Sequence, residues 1–266
     1  MAKSKKRPTN SPVRRPLTPT IMTEIGGLKR PPPSAGGCRP EGEWAAGYRI
    51  WTCYGHSSRG NRDVGALRIE RRADGEDTAL KVHQTLANSE GKLHTVRAEV
   101  RCRRDAFATP TSWTLRGGFS GSHMAGLPRL DHAEAGRLRD GTWERTAGGH
   151  TSSRKVPTPL TGDWCLFEAV TRMAFRRLAE PMTFHVLEGL SVLKADHRLL
   201  YRGPVPVTWG PAEVELHCFV QLGRGVYPYE YWLDDAHRLL LATTGPRAYI
   251  LGPTAGKAAA RGGRNT

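Results

Sequence analysis

No run of this sequence approaches the about 20 consecutive apolar residues that a membrane-spanning helix needs, which excludes a helical membrane bundle. Cysteine is sparse: Cys38, Cys53, Cys102, Cys165 and Cys218 include no pair at the close spacing of a zinc knuckle or redox motif. An odd count without framework spacing fits a reducing compartment, where such residues act as small buried hydrophobes. There is no glycine-rich phosphate loop, no His-Glu-x-x-His helix and no Gly-x-Ser-x-Gly elbow; Gly118-Phe119-Ser120-Gly121 has the wrong spacing for the last. The ten histidines are scattered, and the nearest to a cluster, His123 and His132 with Asp131, falls short of three or four convergent ligands. No cofactor and no metal is therefore expected. Behind the basic N-terminal residues Leu17, Ile21, Met22 and Ile25 are interrupted by Pro and Thr, so no secretory signal is legible. The default location is cytoplasmic, or periplasmic if a leader precedes the true start.

What is present suffices for a core. The 266 residues are 38% hydrophobic and 24% charged, too apolar for a wholly disordered chain, and 30 Gly with 19 Pro disfavour a helical protein. The net charge of +15 is unevenly placed: residues 1–40 carry net +8 and 251–266 carry +3, leaving +4 for 41–250. Residues 1–40, with eight prolines including Pro31-Pro32-Pro33, read as a disordered basic tail, and 253–266 as a second. Such tails attract polyanions by counterion release without reading sequence, or serve only as solvated, solubilising ends. Residues 41–252 read as a single β-rich domain.

Within that domain, runs rich in β-formers alternate with turn chemistry. Residues 48–54, 64–71, 78–86 and 93–102 are strand candidates, the second and third joined by an Asp74-Gly75 hairpin signal. In 93–102, Leu93, Thr95, Arg97 and Glu99 oppose His94, Val96, Ala98 and Val100, the period of a half-buried strand. Residues 112–116 form another run, closed by Gly117-Gly118, and Trp143 suggests one more after Asp140-Gly141; otherwise 117–160 shows little pattern. A helix over about 162–179 starts at a Thr161 or Asp163 cap. Trp164, Phe167, Val170, Ala174 and Leu178 form its apolar stripe, with Glu168, Arg172, Arg176 and Arg177 opposite, and Pro181 ends it. Strands follow at 182–187, 190–201, 205–209, 214–220, 229–233, 239–243 and 248–251. About ten short strands and one helix indicate a β-dominated α+β fold, a curved antiparallel sheet wrapped, open-barrel-like, around one amphipathic helix.

Over about 160–252 the order is a helix after Gly162-Asp163, strands, Val205-Pro206-Val207 with Gly210, and Tyr231-Trp232-Leu233-Asp234-Asp235 running to His237-Arg238-Leu239. That arrangement resembles an uncharacterised bacterial β-rich family, similar in turn to the periplasmic lipoprotein carriers, whose unclosed barrel wraps a helix. The resemblance implies a half-barrel that holds a ligand; it supplies no catalytic residues, and the sequence departs from the carriers in lacking a visible export signal.

Three functions follow. The first is a non-enzymatic carrier for an apolar small molecule or lipid. Trp51, Trp113, Trp209, Tyr229, Tyr231 and Trp232 would line the hollow, unless these rings simply fill the core. Asp234, His237 and Arg238 would be polar groups at its mouth, or plain hairpin residues whose Asp side chains bond their own backbone. The second is a hydrolase built on Asp234 and His237. The third is a polyanion-associated protein acting through residues 1–40.

Overall fold

The structure, a computed structural model, describes residues 31, 40–52, 62–87, 93–120, 131–176 and 180–252. The expected tails lie almost wholly outside these residues, as does His123. The first five strands are β1 (Trp44–Thr52), β2 (Arg62–Asp74), β3 (Asp77–Ala87), β4 (Leu93–Arg103) and β5 (Pro110–Ser120). Then come β6 (His132–Arg139), β7 (Thr142–Ala147), β8 (His150–Lys155), the short β9 (Leu160–Gly162) and the helix α1 (Asp163–Arg172). The last six are β10 (Met182–Glu188), β11 (Val192–Trp209), β12 (Ala212–Leu222), β13 (Tyr229–Leu233), β14 (Leu239–Thr244) and β15 (Arg247–Leu251).

All fifteen strands join one sheet, ordered from β8 down to β1, then β15 down to β9. Neighbours are antiparallel except β9 and β10, which run parallel. Strand β1 is the seam: it pairs with β2 on one side and with β15 on the other, in register from Tyr48 opposite Leu251 to Thr52 opposite Arg247. The edges, β8 and β9, remain unpaired with each other, so the curved sheet stays open. The fold is thus β-dominated with one described helix, as the alternating pattern implies.

Alternation places the core. In β4 Val96, Ala98, Val100 and Cys102 are buried while Arg97, Glu99 and Arg101 face solvent. Across the C-terminal half an inner row of Phe219, Tyr231, Ala242 and Tyr249 continues in register to Ile50 of β1. On the opposite face Cys218, Trp232, Leu241 and Ile250 form a second row, buried in one cluster with Val207, Trp209 and Leu216 of the long β11–β12 hairpin. This half of the sheet is therefore covered on both sides, and each buried Leu, Ile or Phe side chain contributes about 1.5–3 kcal/mol.

Several elements differ from the pattern reading. Gly117 and Gly118 do not end β5, which runs on through them to Ser120. Their missing side chains let the His132 ring and the Asp131 carboxylate lie directly against the strand. The stretch 117–160 holds β6, β7 and β8, the first two joined by Asp140 and Gly141, both at positive φ. Arg202-Gly203-Pro204 does not separate two strands either. The register shifts there and β11 continues for 18 residues, a bulge absorbing the proline that cannot donate to the ladder. Leu190 belongs to the preceding turn, at φ +58°.

The helix departs furthest. It ends at Arg172, where Met173 turns extended and Phe175 enters a stack between His217 and His237; Ala174 lies beyond it and Leu178 lies outside the described residues. It starts at Gly162 without a side-chain cap: Thr161 donates instead to the Phe107 carbonyl, and Asp163 is the first helical residue. Nor is it amphipathic in the sense of having a wet face. Every residue from Trp164 to Thr171 is buried, because the sheet curls around it. Phe167 sits edge-on to three rings, Tyr48, Tyr231 and Tyr249, at 5.5–5.8 Å. Glu168, expected in solvent, is 1% exposed and holds two guanidinium groups. Arg71 of β2 donates from Nε to Glu168 Oε1 at 2.8 Å, and Arg172 donates to both carboxylate oxygens at 2.7 and 3.0 Å. Arg71 spends its remaining donors on Thr78 Oγ1 and the carbonyls of Glu41 and Gly42, while Arg172 also reaches the Asp105 carbonyl.

Removing the shared acceptor leaves the buried Arg71 with only the exposed Glu41 carboxylate, 3.8 Å away, as counter-charge. Glu168→Ala should lose about 3–5 kcal/mol of stability in urea unfolding, and a loss below about 1 kcal/mol would show that the network is not buried as described.

Candidate functional site

The sheet does not fill completely around the helix. A cavity of about 330 Å³ lies between the N-terminal end of α1 and the inner face of the sheet. Its apolar walls are Leu67 of β2, Val96 of β4, Leu115 of β5, and Trp164 and Phe167 of α1. Polar groups gather from distant parts of the chain: Gln84, His94, His132, Glu134, Asp163, Tyr229 and Tyr249.

Asp163 is the chemically distinctive member. Its Oδ2 accepts one hydrogen bond, from the backbone N–H of Gly189 at 2.7 Å in the β10–β11 turn. Protein surrounds the carboxyl, yet the residue keeps accessible surface, because it borders the cavity. Burial raises its pKa to about 7, opposed by the Gly189 N–H and assisted by the charge of Glu188. Tyr229 shares these properties: it too borders the cavity, and burial pushes its hydroxyl far up, aided by a hydrogen bond with Tyr249. Burial likewise raises Tyr249, against the nearby Arg247. Both phenols are neutral donors at physiological pH.

Glu134, across the cavity, is by contrast fully engaged. Arg145 of β7 grips it bidentately at 2.7 and 2.8 Å, and Ser191 Oγ donates to it at 2.8 Å. The Arg145 hydrogen bond holds this carboxyl below the usual range. Ser191 thereby ties β6 to the β10–β11 turn, and both partners line the hollow. His94 stacks on Phe119 with centroids 4.5 Å apart, and burial lowers its pKa.

The aromatic candidates separate into different environments. Tyr229 lines the cavity. Tyr231 lies on the same face but beneath, its hydroxyl donating to Gln221 Oε1 at 2.7 Å. Trp113 packs on Trp143 and lies across Gly136, in the core rather than at the cavity. Trp209 and Trp232 are buried on the opposite face of the sheet, and Trp51 packs on their cluster.

Asp234, His237 and Arg238 occupy the β13–β14 turn. Asp234 Oδ1 accepts from the N–H groups of Ala236 and Arg238, and Oδ2 from the Arg238 guanidinium at 2.8 Å. The His237 ring stacks 3.9 Å from Phe175, and burial lowers its pKa. The turn therefore absorbs the Asp234 carboxylate, while the histidine that meets acid and phenol is His217, bonded to Asp235 at 2.9 Å and to Tyr201 at 2.6 Å. Beside Tyr201 lies an apolar hollow of about 240 Å³, lined also by Met173, Leu199 and Phe219.

Asp131, just before β6, and His132, its first residue, point to opposite faces, against Gly118 and Gly117 respectively. Among the described residues no three His, Cys, Asp or Glu side chains converge as a metal site would require. No helix of the described residues is long and apolar enough to cross a membrane.

No family model and no curated protein matches the chain. Among solved structures, the crystal structure of a β-barrel-like protein of a domain of unknown function, DUF1849, from Brucella abortus is similar. At 9% identity and a TM-score of 0.51, the match covers 79% of this chain and 95% of that one. At such identity the likeness shows the fold alone: a β-rich, barrel-like architecture. The narrower likeness to lipoprotein carriers does not follow from it.

The buried carboxyl, with one backbone donor and no counter-charge in hydrogen-bond contact, makes stability depend on pH. Folding raises the pKa of Asp163 from the ordinary 3.8 to about 7, so the folded chain holds the proton more tightly than the unfolded one. Its contribution is complete below about pH 4 and is lost as pH rises to about 7, a decline on the order of 4 kcal/mol at most. In Asp163→Asn, whose amide oxygen can still accept from Gly189, that decline should vanish and stability at pH 8 should exceed that of the parent. Thermal unfolding of both proteins from pH 4 to 8 measures the difference.

Proposed function

We propose that this chain is a non-enzymatic binding protein that holds a small apolar or amphipathic ligand in the hollow between the open barrel and α1. The observation that carries this reading is the 330 Å³ cavity, lined by aliphatic and aromatic side chains together with polar groups that could orient a ligand. That volume falls at the lower end of the roughly 300–1,000 Å³ typical of ligand pockets, and the lining, richer in polar groups than most, suits an amphipathic ligand. The ligand's apolar body would lie against Leu67, Val96, Leu115 and Phe167. Its polar end would meet Asp163, Tyr229 and Tyr249, which together offer a titratable carboxyl and neutral hydroxyl donors. The barrel-like architecture of the Brucella abortus protein supports the fold on which this rests, not the ligand.

Titrating the full chain with phenylnaphthylamine, a neutral apolar fluorophore, tests the proposal. Saturable binding is expected, weakened at least tenfold by Gln84→Trp, which projects an indole into the cavity from a half-buried position, with the unfolding transition unchanged. Absence of saturable binding, or equal affinity in Gln84→Trp and in a second blocked variant, Leu115→Trp, would overturn it.

A further inference from the structure

Cys102 and Cys165 are 63 positions apart in the chain, yet their Sγ atoms lie 3.6 Å from each other. Cys102 closes the inward-facing series of β4, and Cys165 stands in the first turn of α1. Both side chains are completely buried, and both are free thiols here. We propose that Cys102 and Cys165 are a disulfide-forming pair that fastens α1 to the sheet.

The geometry carries the proposal. Two sulfurs in van der Waals contact need to approach by about 1.5 Å to reach the bonding distance, a movement within reach of side-chain rotation on two elements already packed together. Cys218 offers no comparable arrangement: it lies on the outer face of the sheet, in the other cluster, and its nearest acceptor is the Phe219 carbonyl at 3.8 Å. Hydrogen bonding to Cys165, and then burial, push the Cys102 thiol well above its usual range, so the docked pair reacts slowly. Exchange therefore belongs to folding, before α1 seats. A small-molecule disulfide is the oxidant: one cysteine thiolate attacks it, releasing one thiol and leaving a mixed disulfide. The second cysteine thiolate attacks that intermediate and releases the second thiol, so two electrons and two protons pass to the oxidant.

The bond has a structural consequence. Val96 of β4, six residues before Cys102, and Trp164 of α1, next to Cys165, both line the cavity. Oxidation adds a covalent tie between β4 and α1; reduction leaves their docking to the Glu168 network and to packing.

Refolding the full chain from urea in a mixture of oxidised and reduced glutathione, then alkylating under denaturing conditions and mapping peptides, tests this. The expected result is a Cys102–Cys165 cross-linked peptide two hydrogens lighter than its parts, with Cys218 recovered alkylated. The Tm should rise on the order of 10 °C over the reduced protein. Dithiothreitol should reverse the rise, and Cys165→Ala and Cys102→Ala should not show it. Recovery of both cysteines as alkylated thiols, or a bond from either to another cysteine, would overturn the proposal.

Discussion

Glu168 is the acceptor on which the position of the helix depends. A helix enclosed on every side can keep no charge in solvent, so the carboxylate needs donors from within, and Arg71 and Arg172 supply them. Desolvating three ions costs several kcal/mol each, and an apolar trio of the same volume can be equally stable. What such a trio would lack is direction. Arg71 also bonds the Glu41 and Gly42 carbonyls and Thr78, and Arg172 bonds the Asp105 carbonyl, so one cluster couples the segment before β1, strands β2 and β3, the loop after β4, and α1. Sliding the helix by one turn would break the Arg71–Glu168 and Arg172–Asp105 bonds together. Asp163 precedes Glu168 by five residues, about 7 Å along the axis. The network at the middle of the rod therefore sets how far its first carboxyl reaches toward the cavity.

The two halves of the sheet solve different burial problems. Strand β4 turns a charged face to water and needs cover only on its inner side. From β12 to β15 both faces are apolar, and Leu239 through Thr243 are buried without interruption. The extra face would be an adhesive patch if left bare. The length of β11 answers this: its far end, with Val207 and Trp209, joins β12 in a hairpin whose apolar residues share the outer cluster. Glycine and proline at 203 and 204 give the bulge that lets one strand serve two environments.

Strand identity and inward-facing positions were legible because period-two alternation directly reflects a surface wet on one side. The same logic misled at the helix: Glu168 and Arg172 obey amphipathic spacing, and nothing local reveals that Arg71, 97 positions away, removes the need for solvent. Gly117 and Gly118 read as a break because their use, close approach of His132 and Asp131, depends on a strand not yet folded beside them. The cavity was the least legible feature. Gln84, Glu134, Asp163, Tyr229 and Tyr249 lie on five separated segments, and no spacing rule links them. Asp163 was noticed only as a helix cap, and Tyr229 alone of the aromatic candidates reaches the hollow.

Two carboxyls of one short helix make an instructive contrast. Glu168 is buried and matched, with two guanidinium groups and no spare acceptor capacity facing a void. Asp163 is buried and left with a single backbone donor at the margin of a cavity, so its proton is held to about pH 7. An amide in its place would accept from Gly189 equally well and would be free of the ionisation cost. The Asp163 carboxylate lies at the helix N-terminus, which favours the charge, while burial opposes it. A ligand whose polar end contacts Asp163 would supply the partner that Arg71 supplies to Glu168, and its binding would shift with the protonation of that one carboxyl.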